Sequence, residues 1–324
     1  MLPAFDFRRA ADLDQAIALL QADGSRLHAG GTDLLGCLQD GVFGAERLVS
    51  ISGLDGLRRV QSDKGGLRIG ALVTIAEVAE QPQIASRYPG LAQAAAAVAS
   101  PQLRNQGTLG GNLCQKPRCW YYRGEFDCLR KGGRTCFAHA GDNRFHCILG
   151  GRGCVIVHPS DTAPALIALD ARVRIQGPKG SRRIAVADLH VPPADDFLRE
   201  TMLEPGEIIT HIELPEPVAG SSSRYRKVRA RRAWDFALAG AALSIKLRKR
   251  TVEHLRLVFS GVAPVPWRAE RVEQQLIGNT LDAAAIERAA ATAVEEADPL
   301  EHNGYKVELL EAVVTQELGA CASG

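Results

Sequence analysis

The chain has no surplus of either charge: 39 basic residues stand against 37 acidic ones, a formal net charge of +2. That balance excludes the strongly basic surface of a dedicated nucleic-acid binder. No apolar run approaches the ~18–20 residues of a membrane span. The longest candidate, Leu91 to Ala99, is a short alanine-rich stretch. The opening residues Met1 to Arg9 lack the apolar core of a secretory signal, so a cytoplasmic protein with no membrane attachment is expected. No internal repeat occurs, and no low-complexity tract beyond the alanine run. With 46% hydrophobic and 23% charged residues over 324 positions, the composition excludes wholesale disorder and fits two or three compact units.

Two features exceed the average. Glycine reaches 32 residues, and eight cysteines are present. Cys37 and Cys321 stand alone, while Cys114, Cys119, Cys128, Cys136, Cys147 and Cys154 crowd into one short segment. A single dense cluster in a cytoplasmic chain points to metal binding more than to a disulfide framework.

Hydrophobic spacing predicts a helix over 12–22 capped by Asp12, a short strand at Arg26–His28, and strands at Arg47–Ile51 and Leu67–Ile75. Helices are predicted at Ile75–Glu80, Gly90–Ala99 and Thr162–Leu169. Paired strands are predicted at Ala171–Ile175 and Arg182–Val186, with a half-buried strand at Glu207–Leu214. Pro215–Ser223 reads as a linker. Beyond it, strands at Ala237–Lys246 and His254–Gly261 precede helices at Leu281–Glu296 and Val307–Leu318, an α+β arrangement.

Two glycine loops interrupt the first half: Ala29-Gly30-Gly31-Thr32-Asp33-Leu34-Leu35-Gly36 and Asn105-Gln106-Gly107-Thr108-Leu109-Gly110-Gly111-Asn112. Paired glycines after a strand let the backbone approach a ligand and turn N–H groups toward an anion such as a pyrophosphate. Neither loop fits G-x-G-x-x-G, and no G-x-x-x-x-G-K-[ST] run exists, which argues against a Rossmann domain or a P-loop. The plainer alternative is a pair of tight turns.

Together with His158-Pro159-Ser160-Asp161, these loops resemble, in sequence and in order, the flavin-binding signatures of the medium subunit in the xanthine dehydrogenase and carbon monoxide dehydrogenase family. Lys227-Val228-Arg229-Ala230-Arg231-Arg232-Ala233-Trp234-Asp235-Phe236-Ala237 is similar to the segment opening that subunit's last domain. The resemblance implies an α+β chain with the FAD-binding fold of the vanillyl-alcohol oxidase type. It implies subdomains at 1–60 and 61–215, with the cysteine insertion at 114–154, and a C-terminal α+β domain at 224–324. Ala29 to Gly36 would wrap the FAD pyrophosphate, and Thr108, Gly110, Gly111 and Asn112 would form a second wall. Asp161 would accept a hydrogen bond from the cofactor. Tyr225 and Lys227 complete the implied cofactor set, with Tyr225 and Trp234 as candidates to cover the flavin ring, against a plainer reading of both aromatics as core packing.

Thiolates suit zinc or iron–sulfur clusters, but the insertion has neither a C-x-x-C pair nor a ferredoxin run, so spacing alone does not choose the metal. Lys116, Arg118, Arg123, Arg130, Lys131, Arg134, Arg144 and Arg152 outnumber Glu125, Asp127 and Asp142 there. Such an excess would offset an anionic cluster or attract an acidic electron carrier, unless it is simply a solvated face. The run Arg118-Cys119-Trp120-Tyr121-Tyr122-Arg123, with Cys128, Cys136 and Leu149-Gly150-Gly151 before Cys154, resembles the subset of these flavin subunits that carry a [4Fe–4S] cluster. That subset includes 4-hydroxybenzoyl-CoA reductase and certain bacterial aldehyde oxidoreductases. The resemblance implies Cys119, Cys128, Cys136 and Cys154 as ligands, with Cys114 and Cys147 as buried thiols.

The chain has no molybdenum motif and no plant-type C-x₄-C-x₂-C set. The resemblance therefore implies a molybdopterin-containing large subunit and a [2Fe–2S] small subunit as partners, in a dimer of heterotrimers. Its leading expectation is reductive dehydroxylation of 4-hydroxybenzoyl-CoA with ferredoxin as electron donor. The alternative in the same class is an aldehyde or xanthine-type hydroxylase. Outside it stands a non-redox scaffold with structural zinc.

Overall fold

The computed structural model describes residues 2–323. Its first layer is a parallel sheet of β1 (Asp6–Arg9), β2 (Ser25–His28) and β3 (Arg47–Ser50), in the order β1-β3-β2. Asp12 starts the helix Leu13–Leu20 by accepting the Gln15 N–H at 2.8 Å, which satisfies a donor the first turn leaves unpaired. Ala16 and Ile17 on that helix pack with Val49 and Ile51 of the sheet. The β2–helix–β3 crossover, through the helix Leu34–Gln39, puts the first glycine loop at the C-terminal end of β2, where α/β units hold ligands.

The second sheet is antiparallel and runs β4-β5-β8-β6-β7. It comprises β4 (Val60–Asp63), β5 (Gly66–Gly70), β6 (Arg172–Gly177), β7 (Gly180–Ala185) and β8 (Ile208–Leu214). Helices Ile75–Glu80, Pro89–Ala97 and Thr162–Ala168 bury Ile75, Val78, Leu91 and Leu166 against it. The third sheet, β12-β11-β10-β9, holds β9 (Ser222–Val228), β10 (Ala239–Arg248), β11 (Thr251–Ser260) and β12 (Trp267–Arg268). It packs against Ala283–Val294 and Tyr305–Ala322 around Leu243, Leu257, Phe259 and Leu310.

Two differences from the sequence reading have a physical origin. Ser222 and Ser223, taken as the end of a linker, open β9, whose polar composition hides its pairing with β10. Asp6–Arg9 pairs only with β3 and is mostly exposed, so it shows no apolar alternation. The cysteine insertion folds with little regular structure: one turn of helix at Trp120–Arg123 and short 3₁₀ turns at Leu129–Lys131 and Phe137–His139.

Candidate functional site

The second glycine loop is stitched to the chain after β5. Thr74 and Glu77 form a reciprocal cap on the helix Ile75–Glu80. The same stretch bonds the loop through Ile75 N–H to Gly107 O, Leu109 N–H to Val73 O and Gly110 N–H to Ala71 O, all at 2.9 Å. The first loop then leans directly on the second. Gln106 Nε2 donates to Gly30 O at 3.2 Å, and a Cβ on Gly30 would stand 2.1 Å from Gln106 O. Only glycine allows that approach. Gly31 adopts φ +73°, the left-handed region, beside the His28 ring.

Three adjoining cavities, of about 270, 320 and 410 Å³, form one trough from these loops to the C-terminal domain. Each is of the size ligand pockets occupy. Gly30, Gly31, Gly110 and Gly111 face the first, with Ala29 and Leu34 beside them. Thr32, Asp33, Thr108 and Gly111 also reach the middle one, where Asn112, Lys227 and Trp234 join. Asp161 and Phe236 join the middle cavity to the third, which ends at Ser260 and Gly261 on one side and Cys119, His146 and Phe145 on the other.

Several predicted residues have work other than direct cofactor contact. Asp33 Oδ1 pairs with Arg123 at 2.7 Å and Arg118 at 2.9 Å, and Oδ2 accepts the Lys116 N–H at 2.7 Å. Asp33 thus ties the first loop to the insertion. Leu35 and Gly36 lie past the trough, in the helix Leu34–Gln39; Gly36 faces Arg123. Thr108 caps the helix Leu109–Leu113 through the Gly111 N–H at 3.2 Å. Asn112 Oδ1 accepts from Ser160 Oγ at 2.6 Å and Thr162 Oγ1 at 2.7 Å, fixing the second loop to the Pro159–Asp161 segment.

Asp161 is buried between Lys227 Nζ at 2.7 Å and Tyr225 Oη at 2.6 Å. Burial raises its pKa above the usual carboxylate value, against the pull of Lys227 and Tyr225. Tyr225 is 8% exposed, bonds Ser260 as well, and lies in the core behind the trough. Its hydroxyl positions Asp161. Trp234 behaves oppositely: it is 67% exposed on the rim of the middle cavity, with φ +54° and its N–H on Ala99 O at 3.0 Å. The two aromatics that sequence treated alike therefore have different jobs.

In the insertion, Cys119, Cys128, Cys136 and Cys154 line one small cavity, and Cys114 and Cys147 do not. Among the described residues, no group of three or more His, Cys, Asp or Glu side chains is arranged to hold a metal ion; the four cysteines share a cavity of about 10 Å³. Tyr121, Tyr122 and Phe137 close it. Burial pushes the Cys119 thiol up to about 12 and the Cys154 thiol up to about 11, so metal binding there releases protons. Arg130 also lines the cavity with a side chain 1% exposed. Its Nη2 bonds Glu200 at 2.7 Å, while Nε and Nη1 are buried donors without a partner. Buried donors of this kind are costly unless an acceptor reaches them.

Half of the basic residues of the insertion are ion-paired to carboxylates outside it: Lys116 and Arg130 with Glu200, and Arg118 and Arg123 with Asp33. Arg134, Arg144 and Arg152 are exposed. The far end is held by the C-terminal domain: Asn303 Nδ2 donates to the His146 and Cys147 carbonyls, and buried Lys306 donates to Phe145 O and Gly261 O. Sequence reading named Gln106 only within its loop and Arg130 only among the basic residues, and did not name His146 or Asn303, because each acts through a partner remote in the chain. Only the position of Arg130 and His146 among the cysteines was a signal.

The chain matches the family described as FAD binding domain in molybdopterin dehydrogenase over residues 3–217, and CO dehydrogenase flavoprotein C-terminal domain over 223–318. It is 37% identical to the aldehyde oxidoreductase FAD-binding subunit PaoB of Escherichia coli, across 85% of this chain and 86% of that one. It is 28% identical to the carbon monoxide dehydrogenase medium chain of Hydrogenophaga pseudoflava, across 98% and 97%. A solved carbon monoxide dehydrogenase from that organism, lacking the Mo-pyranopterin moiety of its cofactor, superposes with a TM-score of 0.78 at 27% identity, covering 99% of this chain and 98% of that one. The two family matches together span residues 3–217 and 223–318, and the chain belongs to the FAD-binding subunits of the molybdopterin dehydrogenase family.

Proposed function

We propose that this chain is the electron-transfer subunit of a molybdenum enzyme complex, holding FAD in the trough and a [4Fe–4S] cluster on Cys119, Cys128, Cys136 and Cys154. The observation that carries the reading is the shared wall: Cys119 and His146 border both the cysteine cavity and the trough. When bound, FAD exchanges electrons singly or in pairs and the cluster exchanges them singly, so together they join two-electron chemistry to one-electron carriers. The protein's part is placement. Gly30, Gly31, Gly110 and Gly111 offer bare backbone to a pyrophosphate. Asp161, held by Lys227 and Tyr225, offers a fixed acceptor beside the middle cavity. Arg130 offers the cluster two free N–H groups in a dry pocket. Four cysteines lining one cavity supply the number of thiolates that a [4Fe–4S] cluster takes.

The names of its relatives, FAD-binding subunit and medium chain, support partner subunits, and the matched family's name supports a molybdopterin in one of them; a [2Fe–2S] small subunit completes the proposed complex. The 37% identity to an aldehyde oxidoreductase subunit favours aldehyde oxidation, with electrons leaving through this chain. The reductive 4-hydroxybenzoyl-CoA reading, which runs electrons inward from ferredoxin, rests on the cysteine insertion alone, and that insertion serves either direction. The test is anaerobic iron, sulfide and flavin analysis of this chain, then turnover by the co-purified complex. Four irons and one FAD per chain are expected, with an aldehyde oxidised by an artificial acceptor. One FAD with zinc or no metal would overturn the cluster. Reduction of 4-hydroxybenzoyl-CoA without aldehyde oxidation would reverse the direction.

A further inference from the structure

His146 has no assigned role, and its surroundings define one. It is 6% exposed, and its Nε2 lies 3.2 Å from Cys119 Sγ. Its backbone is held from both sides, by its N–H on Asn143 O at 2.9 Å and by Asn303 Nδ2 on its carbonyl at 3.2 Å. The Tyr121 ring lies 6.2 Å away, tilted over the imidazole. Asn143 and Asn303 are fully buried, so the backbone that carries the ring is held from both sides.

A metal-bound thiolate has no proton to give. At 3.2 Å from such a sulfur, Nε2 must carry the hydrogen and donate it, which leaves Nδ1 as the acceptor. Nδ1 is indeed buried without a partner. A hydrogen bond to a ligating sulfur withdraws charge from the cluster and stabilises its reduced form, raising its potential. His146 also borders the trough, so this pair lies on the wall shared by the cysteine cavity and the trough.

We propose that His146 is a positioning residue that donates Nε2–H to the Cys119 thiolate and sets the cluster's potential from the wall shared with the trough. The inference rests on the cluster reading above. Its test uses the full-length chain purified anaerobically as wild type, His146→Gln and His146→Leu. Glutamine keeps an N–H donor of similar reach, and leucine removes it. Each protein is assayed for iron and sulfide, titrated redox-wise by electron paramagnetic resonance, and compared in H₂O and D₂O for exchangeable protons coupled to the cluster.

Wild type and His146→Gln are expected to hold four irons and show an exchangeable coupling. His146→Leu is expected to hold iron but lose that coupling, and its midpoint should move negative, so the reduced fraction falls several-fold at a fixed potential. Four irons with unchanged midpoint and coupling in His146→Leu would overturn the role of His146 and leave the cluster standing. An iron-free wild type would overturn both. If His146→Leu fails to load iron, the comparison passes to wild type and His146→Gln: an exchangeable coupling in both supports the bond, and its absence from wild type refutes it.

Discussion

Gly30→Ala is the sharpest test of how the two loops make a cofactor site. The added Cβ would meet Gln106 O at 2.1 Å, its carbonyl carbon at 3.0 Å and Gly107 Cα at 3.3 Å. These are backbone atoms, so no side chain can swing aside. An ordinary carbon contact requires the loops to separate by about 1.3 Å. Gly107 is held by its N–H on Leu103 O at 2.7 Å and by Ile75 N–H on its carbonyl, so separation strains both bonds and the Gln106–Gly30 link. Overpacking costs about 1–3 kcal/mol and each lost hydrogen bond about 0.5–1.5, together roughly 2–4 kcal/mol. If that falls on the bound geometry, FAD affinity drops about 30- to 1,000-fold. The control is Gly36→Ala, where the nearest atom is Arg123 Nη1 at 3.9 Å and the residue sits in a helix. That change should leave affinity alone and stabilise by up to about 1 kcal/mol. Flavin retained after gel filtration, FAD titration by fluorescence quenching and thermal melts read both. A Gly30→Ala protein with wild-type affinity and melting temperature would refute the close-approach argument.

Other substitutions separate the remaining parts. Lys227→Met strands the Asp161 carboxylate in the core and should destabilise by about 3–5 kcal/mol. Because the variant's folded-state carboxyl titrates above its unfolded value, the deficit in denaturant melts should be smaller at pH 5 than at pH 8; a pH-independent deficit would refute the buried charge. Cys128→Ser should abolish four irons per chain and leave FAD bound, whereas Cys114→Ser, outside the cysteine cavity, should keep its iron. Equal iron in both, measured by colorimetric assay, would break the ligand assignment. Asp33→Asn removes the partner of Arg118 and Arg123 and should weaken docking of the insertion by about 1–3 kcal/mol. Faster limited proteolysis within 116–136 would report it, and an unchanged cleavage rate would count against Asp33 as the tie.

Local patterns were legible because they depend on neighbours in the chain. The Asp12 cap, the helices at Ile75, Thr162 and Ala283, and the strands around Ile69, Ile212 and Leu257 follow from spacing and capping alone. The glycine pairs likewise marked where backbone comes close to something, and the dense cysteines marked a metal candidate. Sequence by itself determined these elements and the residue types at the site. What it did not contain was the identity of each partner. Gly30 meets Gln106, Asp33 meets Arg118 and Arg123, Asp161 meets Lys227 and Tyr225, and Asn303 grips His146 across more than 150 positions. Those pairings decided that Tyr225 is a strut and Trp234 a rim residue, that half of the insertion's basic side chains pair with carboxylates outside it, and that four cysteines of six share a cavity. The reason is physical: charge pairing, close approach and burial depend on distance in space, and only packing the three sheets and the insertion together sets those distances.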